Sequence, residues 1–274
     1  MTPAAQPTAR WHGLPIGHWL IEWDVPELLV FDSVPSTNYI ARVRAEAGAP
    51  AGLIVLADHQ SAGRGRLGRT WHDRPAGSIL MSCLLRPAPA PLDVAPGTIP
   101  LRVGIAAATA LRSATGSDVR LKWPNDLVVP GAGKVGGILC EAVNAGARSG
   151  YVVVGLGLNV HQRTEDWPPA LRGVATSLAA CATGPIPGAQ ALDRPRLMAA
   201  LADALRPLRT APLVSLTHQE LDRFASLDAL RDARVLVDSD PAPYDARGID
   251  PDGALLTHRD GVVRRISSAT VRLA

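Results

Sequence analysis

The chain has 274 residues, 47% of them hydrophobic, and a formal net charge of +3. That length accommodates one large domain and a small one around an ordinary core, and no apolar run approaches the ~18 residues that span a bilayer, so a soluble protein is expected. The charge excess is mild and its basic residues are scattered without a Lys/Arg-rich helix, which does not read as a nucleic-acid footprint.

The first residues, MTPAAQPTARWHGLPIG, lack a basic start followed by an apolar core and do not read as a signal peptide. Trp11, Trp19 and Trp23 occur there with little periodicity, so residues 1–26 are expected to be an extended lead-in packed on the surface. Residues 28–31 form a candidate strand. After it, Ser36 or Thr37 can cap a helix running to about residue 47, with Gly48 ending it. Hydroxyl and amide groups at such a turn can also contact a polar ligand, and capping is the favoured role for Ser36 and Thr37 taken alone.

Residues 53–58 are a strand feeding DHQSAGRGRLGRTW, which places Gly63, Gly65, Gly68, Arg64, Arg66 and Arg69 within seven residues. Glycine lets a backbone approach a ligand closely, and arginine presents a planar, permanent charge that matches carboxylate and phosphate oxygens. A mobile loop closing on an anion competes here with a solvated Arg/Gly surface loop. The G-x-G-x-x-G spacing is not a dinucleotide fingerprint, because a polar spacer precedes it and Pro75 and Gly77 follow where a helix should run. Nor is it a kinase loop, for V-A-I-K and D-F-G are missing.

Residues 78–85 (SILMSCLL) are another strand, followed by the proline-rich connection RPAPAPLDVAPGTIP and a core helix over about 101–115. A strand at 119–122 runs into LKWPNDLVV. There Pro124 biases Trp123 toward an extended conformation and Asn125-Asp126 favour a turn, so Lys122 and Asp126 stand at a strand end. An incidental hairpin turn is the bland alternative. PGAGKVGGILCE is a turn into an apolar strand and not a P-loop, since Val128 and Val135 occupy the places that motif requires for Gly and Ser/Thr. Lys134, with Gly136 and Gly137 beside it, fits a lysine aimed into a pocket. The strand YVVVGLGLN (151–159) ends in Asn159, and Gly155 and Gly157 suggest close backbone packing or a ligand alongside.

Only Lys122 and Lys134 among the 28 Lys plus Arg are lysine. A compact ammonium is retained at two places where a broad guanidinium would not serve. Helices are expected from residue 175 onward, over about 193–208, and over about 215–226. From residue 233 short strands alternate with turns as in a small β-barrel. The HRD at 258–260 reads as a hairpin turn at Asp260-Gly261. Cys83, Cys140 and Cys181 are far apart and form no CxxC, so neither a disulfide framework nor a zinc site is suggested and a reducing cytoplasm is the simplest home.

STN at 36–38, HQSAGRGRLGRTW at 59–71, KWPND at 122–126, KVGGILCE at 134–141 and GLGLN at 155–159 together resemble the biotin protein ligases. The resemblance implies an α+β fold: a mixed β-sheet catalytic domain packed with helices, of the biotin/lipoate ligase and class II synthetase-like kind (27–226), plus a small C-terminal SH3-like β-barrel (227–274). It implies ligation of biotin to a lysine of a biotin carboxyl carrier domain, as in acetyl-CoA, acyl-CoA or pyruvate carboxylase, through biotinyl-5′-AMP, with ATP and biotin as substrates and Mg²⁺. By the same resemblance, Ser36, Thr37, Asn38 and Gln60 hold the ureido ring. Arg64, Gly65 and Arg66 belong to the loop over biotin and the adenylate. Lys134 lies against the carboxylate and phosphate, with Arg69 adding charge. Gly63, Trp71, Asn125 and Asn159 surround the adenylate, and Lys122 and Asp126 orient phosphates and possible metal. With the first catalytic strand near residue 28, no winged-helix DNA-binding domain is expected, and a monomer or weak homodimer is. A lipoate ligase or octanoyltransferase shares the fold but would carry an RRxxGGG-type motif.

Overall fold

A computed structural model of the chain describes residues 6–88, 97–143, 150–182, 192–212, 214–238 and 240–274. A short hairpin, β1 (Arg10–Trp11) and β2 (Leu14–Pro15), leads into α1 (Ile16–Glu22), β3 (Leu28–Val34), α2 (Thr37–Glu46), β4 (Ile54–Gln60) and β5 (Ser78–Leu85). Helix α3 (Thr98–Thr115), the hairpin β6 (Arg120–Lys122) and β7 (Asp126–Val129), β8 (Gly133–Val143) and β9 (Tyr151–Asn159) follow. Next come α4 (Leu178–Cys181), α5 (Arg194–Leu205), α6 (His218–Leu227) and five strands: β10 (Arg234–Val237), β11 (Tyr244–Ile249), β12 (Leu255–Arg259), β13 (Val262–Ile266) and β14 (Val271–Leu273). Part of the expected proline-rich connection, 89–96, lies outside the described residues.

Seven strands form one mixed sheet in the order β3-β4-β5-β9-β8-β7-β6. Only β3 and β4 are parallel, and α2 is the crossover that a parallel pair requires. Strands β5 and β9 sit in the middle, covered on both faces, which is why their sequences are almost uninterrupted apolar runs. Successive side chains alternate between faces. Ile79, Met81, Cys83 and Leu85, with Val152, Val154, Leu156 and Leu158, enter the main core beside Leu197, Met198 and Leu201 of α5. Leu84, Tyr151 and Val153 instead meet Ala41 and Ala45 of α2 in a second core. Burying each large apolar side chain stabilises the fold by roughly 1.5–3 kcal/mol. The same alternation puts Leu80, Ser82, Gly155 and Gly157 on the α2 face.

The expectation of an extended lead-in is corrected. Trp11, Trp19 and Trp23 are buried in the main core, with the Trp19 and Trp23 rings stacked at 5.2 Å and the Trp11 and Trp23 rings edge-on at 5.4 Å. Helix α3 begins at Thr98, three residues before the expected start, since Pro100 is tolerated in a first helical turn. Helix α6 begins later than expected, where Thr217 and Glu220 form a capping box.

The C-terminal strands form an antiparallel sheet in the order β13-β12-β11-β10-β14, the expected SH3-like β-module. Asp260-Gly261 turns β12 into β13 with positive φ at both residues, as the hairpin reading requires.

Candidate active site

Two rows of residues crossing the main sheet make the cavity floor. Leu80 of β5, Gly157 of β9 and Gly137 of β8 stand side by side, and so do Gly155 and Leu139, while Ser82 of β5 continues the second row beneath Asn38 without lining the cavity. The glycines leave room for large side chains lying flat on the sheet. A Cβ at Gly157 would come within 2.5 Å of the Trp71 ring, and one at Gly155 within 2.4 Å of Asn38 Oδ1. The close approach expected at these two glycines is therefore made by the protein's own site residues. Above the floor lies a cavity of about 420 Å³.

One end of the cavity is neutral and hydrogen-bonded. Ser36 occupies the N-cap position of α2 in extended geometry, yet its side chain makes no capping bond. The capping role favoured for Ser36 and Thr37 is thus overturned: the backbone N–H of Thr37 donates instead to Gln60 Oε1 at 2.8 Å, and its hydroxyl lies 3.1 Å from the same oxygen. A long-range partner on β4 does what a local cap would have done. Ser82 Oγ lies 2.8 Å from Thr37 Oγ1 and 2.6 Å from Asn38 Oδ1, while Asn38 Nδ2 donates to Glu141 Oε2 at 2.6 Å.

The other end is cationic. The β6–β7 hairpin pairs Lys122 with Asp126 across a turn containing a cis Trp123–Pro124 bond. The hairpin reading of KWPND is therefore correct, and the hairpin brings Lys122 and Asp126 to the cavity. Buried Trp123 donates its indole N–H to the Gly253 carbonyl at 2.9 Å, which fastens the hairpin to the C-terminal module. Lys134 Nζ is 2.6 Å from Asp126 Oδ1 and 5.6 Å from the Trp71 ring centroid. Burial lowers the pKa of the Lys122 ammonium; Asp126 offsets this in part, and the cations Lys134, Arg69 and Arg272 reinforce it. Such a cluster is short of negative charge.

The glycine-arginine loop leans over this end. Gly65 N–H donates to the Arg69 carbonyl at 2.7 Å and Trp71 N–H to the Gly63 carbonyl at 3.0 Å, closing the loop on itself. Arg66 donates to Asn125 Oδ1 at 3.3 Å and to Ser268 Oγ at 3.0 Å, and Arg69 donates to Thr270 Oγ1 at 3.1 Å.

Of the residues singled out from sequence, Ser36, Thr37, Asn38, Gln60, Arg64, Gly65, Arg66, Arg69, Trp71, Lys122, Asn125, Asp126, Lys134 and Asn159 all line the cavity. Gly63 does not; it forms the neck of the loop, where a Cβ would stand 2.8 Å from the Trp71 carbonyl oxygen. The Asn159 amide donates to the carbonyls of Thr176 at 3.0 Å and Lys134 at 3.4 Å, so it ties the 174–176 segment to β8. Sequence reasoning missed Trp167, Leu171, Val174 and Ala175 on one wall and Ala269 to Arg272 on another. It also missed Ser82, whose only signal was a lone hydroxyl in mid-strand. Among the described residues no group of three or more His, Cys, Asp and Glu could hold a metal ion. Among the described residues Asp126 is the one carboxylate lining the cavity. That suits Mg²⁺ carried on phosphate oxygens with one protein carboxylate, and Asp126 with Asn125 would hold it.

Fold and site together define an enzyme domain with one cavity that is neutral and hydrogen-bonded at one end and cationic at the other. Residues 30–159, just under half of the chain, match the biotin/lipoate A/B protein ligase family. It is 39% identical over 151 residues to the bifunctional ligase/repressor BirA of Bacillus spizizenii, covering 55% of this chain and 46% of the relative. It is 37% identical over 147 residues to the biotin–[acetyl-CoA-carboxylase] ligase of Mycobacterium tuberculosis, covering 52% and 53%. The chain thus spans about half the length of these curated relatives in its matches. In fold it is similar to the biotin protein ligase of Aquifex aeolicus in complex with biotin and ATP, with a TM-score of 0.71 and 24% identity over 91% of this chain and 100% of that one. Among the described residues no helix is long and apolar enough to cross a membrane.

Proposed function

We propose that the chain joins biotin to a lysine of a biotin carboxyl carrier domain by way of biotinyl-5′-AMP. The observation that carries this reading is the polarity of the cavity: Thr37, Asn38 and Gln60 at one end suit a ureido ring, and the cationic side chains of Arg64, Arg66, Arg69, Lys122, Lys134 and Arg272 at the other suit a carboxylate meeting a triphosphate. In the first half-reaction a biotin carboxylate oxygen attacks the α-phosphorus of ATP and pyrophosphate leaves. Like-charge repulsion dominates that approach, so catalysis is positioning and neutralisation by Arg64, Arg66, Arg69, Lys122 and Lys134. In the second, the neutral amine of the carrier lysine attacks the acyl carbon and AMP leaves. Mg²⁺ supplies further neutralisation of the phosphates when bound.

In this reading residues 27–226 carry the chemistry, and 227–274 contribute the wall from Ala269 to Arg272. The loop over residues 63–75 closes on the mixed anhydride and keeps water from it. The name of the M. tuberculosis relative points to acetyl-CoA carboxylase as the source of the carrier domain.

The test is pyrophosphate–ATP exchange with Mg²⁺ and, separately, biotin, lipoate or octanoate. Exchange with biotin alone, cut by a factor of about 10² or more in Lys134→Ala, is the expected result. Exchange with lipoate or octanoate in place of biotin would move the protein to the lipoate branch of that family.

A further inference from the structure

We propose that Ser82 is a positioning residue for the neutral end of the cavity, and that its hydroxyl makes the site prefer a cyclic urea to an apolar ring or alkyl chain. The inference rests on the biotin reading above and concerns a side chain that does not line the cavity.

Ser82 is wholly buried in the middle of β5, a strand in which every residue is buried. It pairs with Gly155 of β9, and the space left by the missing Cβ there is filled by the Asn38 amide. Proton accounting fixes the orientations. Asn38 Nδ2 is committed to the Glu141 carboxylate, an acceptor, so Asn38 Oδ1 is the end turned to Ser82 and can only accept. Ser82 has one proton and donates it to that oxygen at 2.6 Å. The Thr37 hydroxyl, 2.8 Å from Ser82 Oγ, then shares its single proton between Ser82 and Gln60 Oε1. Gln60 Oε1 already accepts the Thr37 backbone N–H, so the oxygen of Gln60 is turned inward and its NH₂ is the end left for a ligand. One buried hydroxyl thus orients Asn38 and Thr37 on α2 and, through the Thr37 hydroxyl, reaches Gln60 on β4.

Deleting that hydroxyl leaves Asn38 Oδ1 without its donor and frees Thr37 to turn. A ligand with a urea head depends on the aligned donors and acceptors; a dithiolane ring or an alkyl chain does not. A site built to hydrogen-bond a polar group rejects analogues lacking it because its own polar groups are left unpaired, and loosening them erodes that rejection.

The experiment compares wild type, Ser82→Ala and Ser82→Cys in pyrophosphate–ATP exchange with biotin, lipoate and octanoate, alongside calorimetric titration of biotin and thermal melting. In Ser82→Ala the KM and Kd for biotin should rise about tenfold to a hundredfold, with the KM for ATP and kcat at saturating biotin unchanged. Residual turnover of lipoate or octanoate should not fall, so the preference for biotin narrows. Ser82→Cys keeps the volume but is a weak donor, and it should follow the alanine variant. Wild-type biotin binding in Ser82→Cys would assign the effect to packing and overturn the proposal. So would equal losses for biotin and ATP, or a loss that merely tracks the melting temperature. The wild type reports on the biotin reading and the variants report on Ser82, so the two ideas fail separately.

Discussion

At the neutral end of the cavity Thr37, Asn38, Ser82 and Gln60 satisfy one another across α2, β5 and β4. At the charged end Arg66 and Arg69 reach from a loop to an asparagine amide and two hydroxyls of the C-terminal module. The first set sits on rigid elements and is aligned before any ligand arrives. The second is held by neutral partners. Charge-assisted bonds to an anion are roughly twice as strong as neutral ones, so carboxylate and phosphate oxygens can take these guanidiniums over. The neutral end is thereby preorganised, and the charged end is adjustable.

The two floor glycines offer the sharpest way to break that contrast. Gly157→Ala drives a Cβ into the Trp71 ring, which lies beside Lys134. Overpacking of this kind costs about 1–3 kcal/mol. A displacement of the charged groups by even an ångström lowers turnover by about a hundredfold. Exchange kinetics for Gly157→Ala should show reduced kcat and weaker binding of both biotin and ATP. Gly155→Ala drives a Cβ into Asn38 Oδ1 and should raise the KM for biotin alone. Identical kinetic profiles for the two variants would mean that the ends are not separately built.

These glycines also mark where the sequence was legible and where it was not. Strands β5 and β9 were readable to the residue because uninterrupted apolar runs have no other use at that length. The motifs GRGRLGR and KWPND were readable because few structural needs explain them. What Gly155 and Gly157 make room for was hidden, since Asn38 and Trp71 are more than 80 residues distant in the chain. Ser36 and Thr37 were misread for the same reason: a cap is a local inference, and the partners of Thr37 are on β4 and β5. The lead-in was misread because its short helix has no side-chain cap and is held by tryptophan packing.

An effect of similar size, on stability instead of turnover, is expected where the C-terminal module joins the sheet. Asp228, between α6 and β10, bridges to Leu121 of β6, next to Lys122, and accepts the Leu230 N–H at 2.8 Å. Burial pushes its pKa up to about 6 from 3.8. The folded state therefore holds more protons than the unfolded state between those values, and stability falls as pH rises through that window. Above it the penalty is constant at ~3 kcal/mol, from about 1.4 kcal/mol per tenfold in the proton equilibrium. Asp228→Asn keeps the acceptor for Leu230 and removes the charge. Urea melts should show it more stable than wild type at pH 7, with the difference shrinking toward pH 4. An unchanged kcat in this variant would locate the adjustability of the charged end in the loop; a reduced kcat would assign part of it to the joint.

The smallest effect concerns what holds the loop before ligand arrives. We propose that residues 63–75 open without ligand, and trypsin reads this directly because Arg64, Arg66 and Arg69 are its cleavage sites. Cleavage in the free protein should be suppressed by biotin with ATP. Ser268→Ala with Thr270→Ala removes the hydroxyl partners of Arg66 and Arg69. Such exposed bonds contribute little, so free-state cleavage should quicken by only about fivefold, the equivalent of ~1 kcal/mol. The KM for biotin should not move, because the partners proposed for its ring are on α2 and β4. A free-state loop as resistant as the strands flanking it would sink the idea of an opening lid. A biotin KM that rises in the double variant would instead couple the C-terminal module to the neutral end, and the division between a fixed ring site and an adjustable charge site would have to be redrawn.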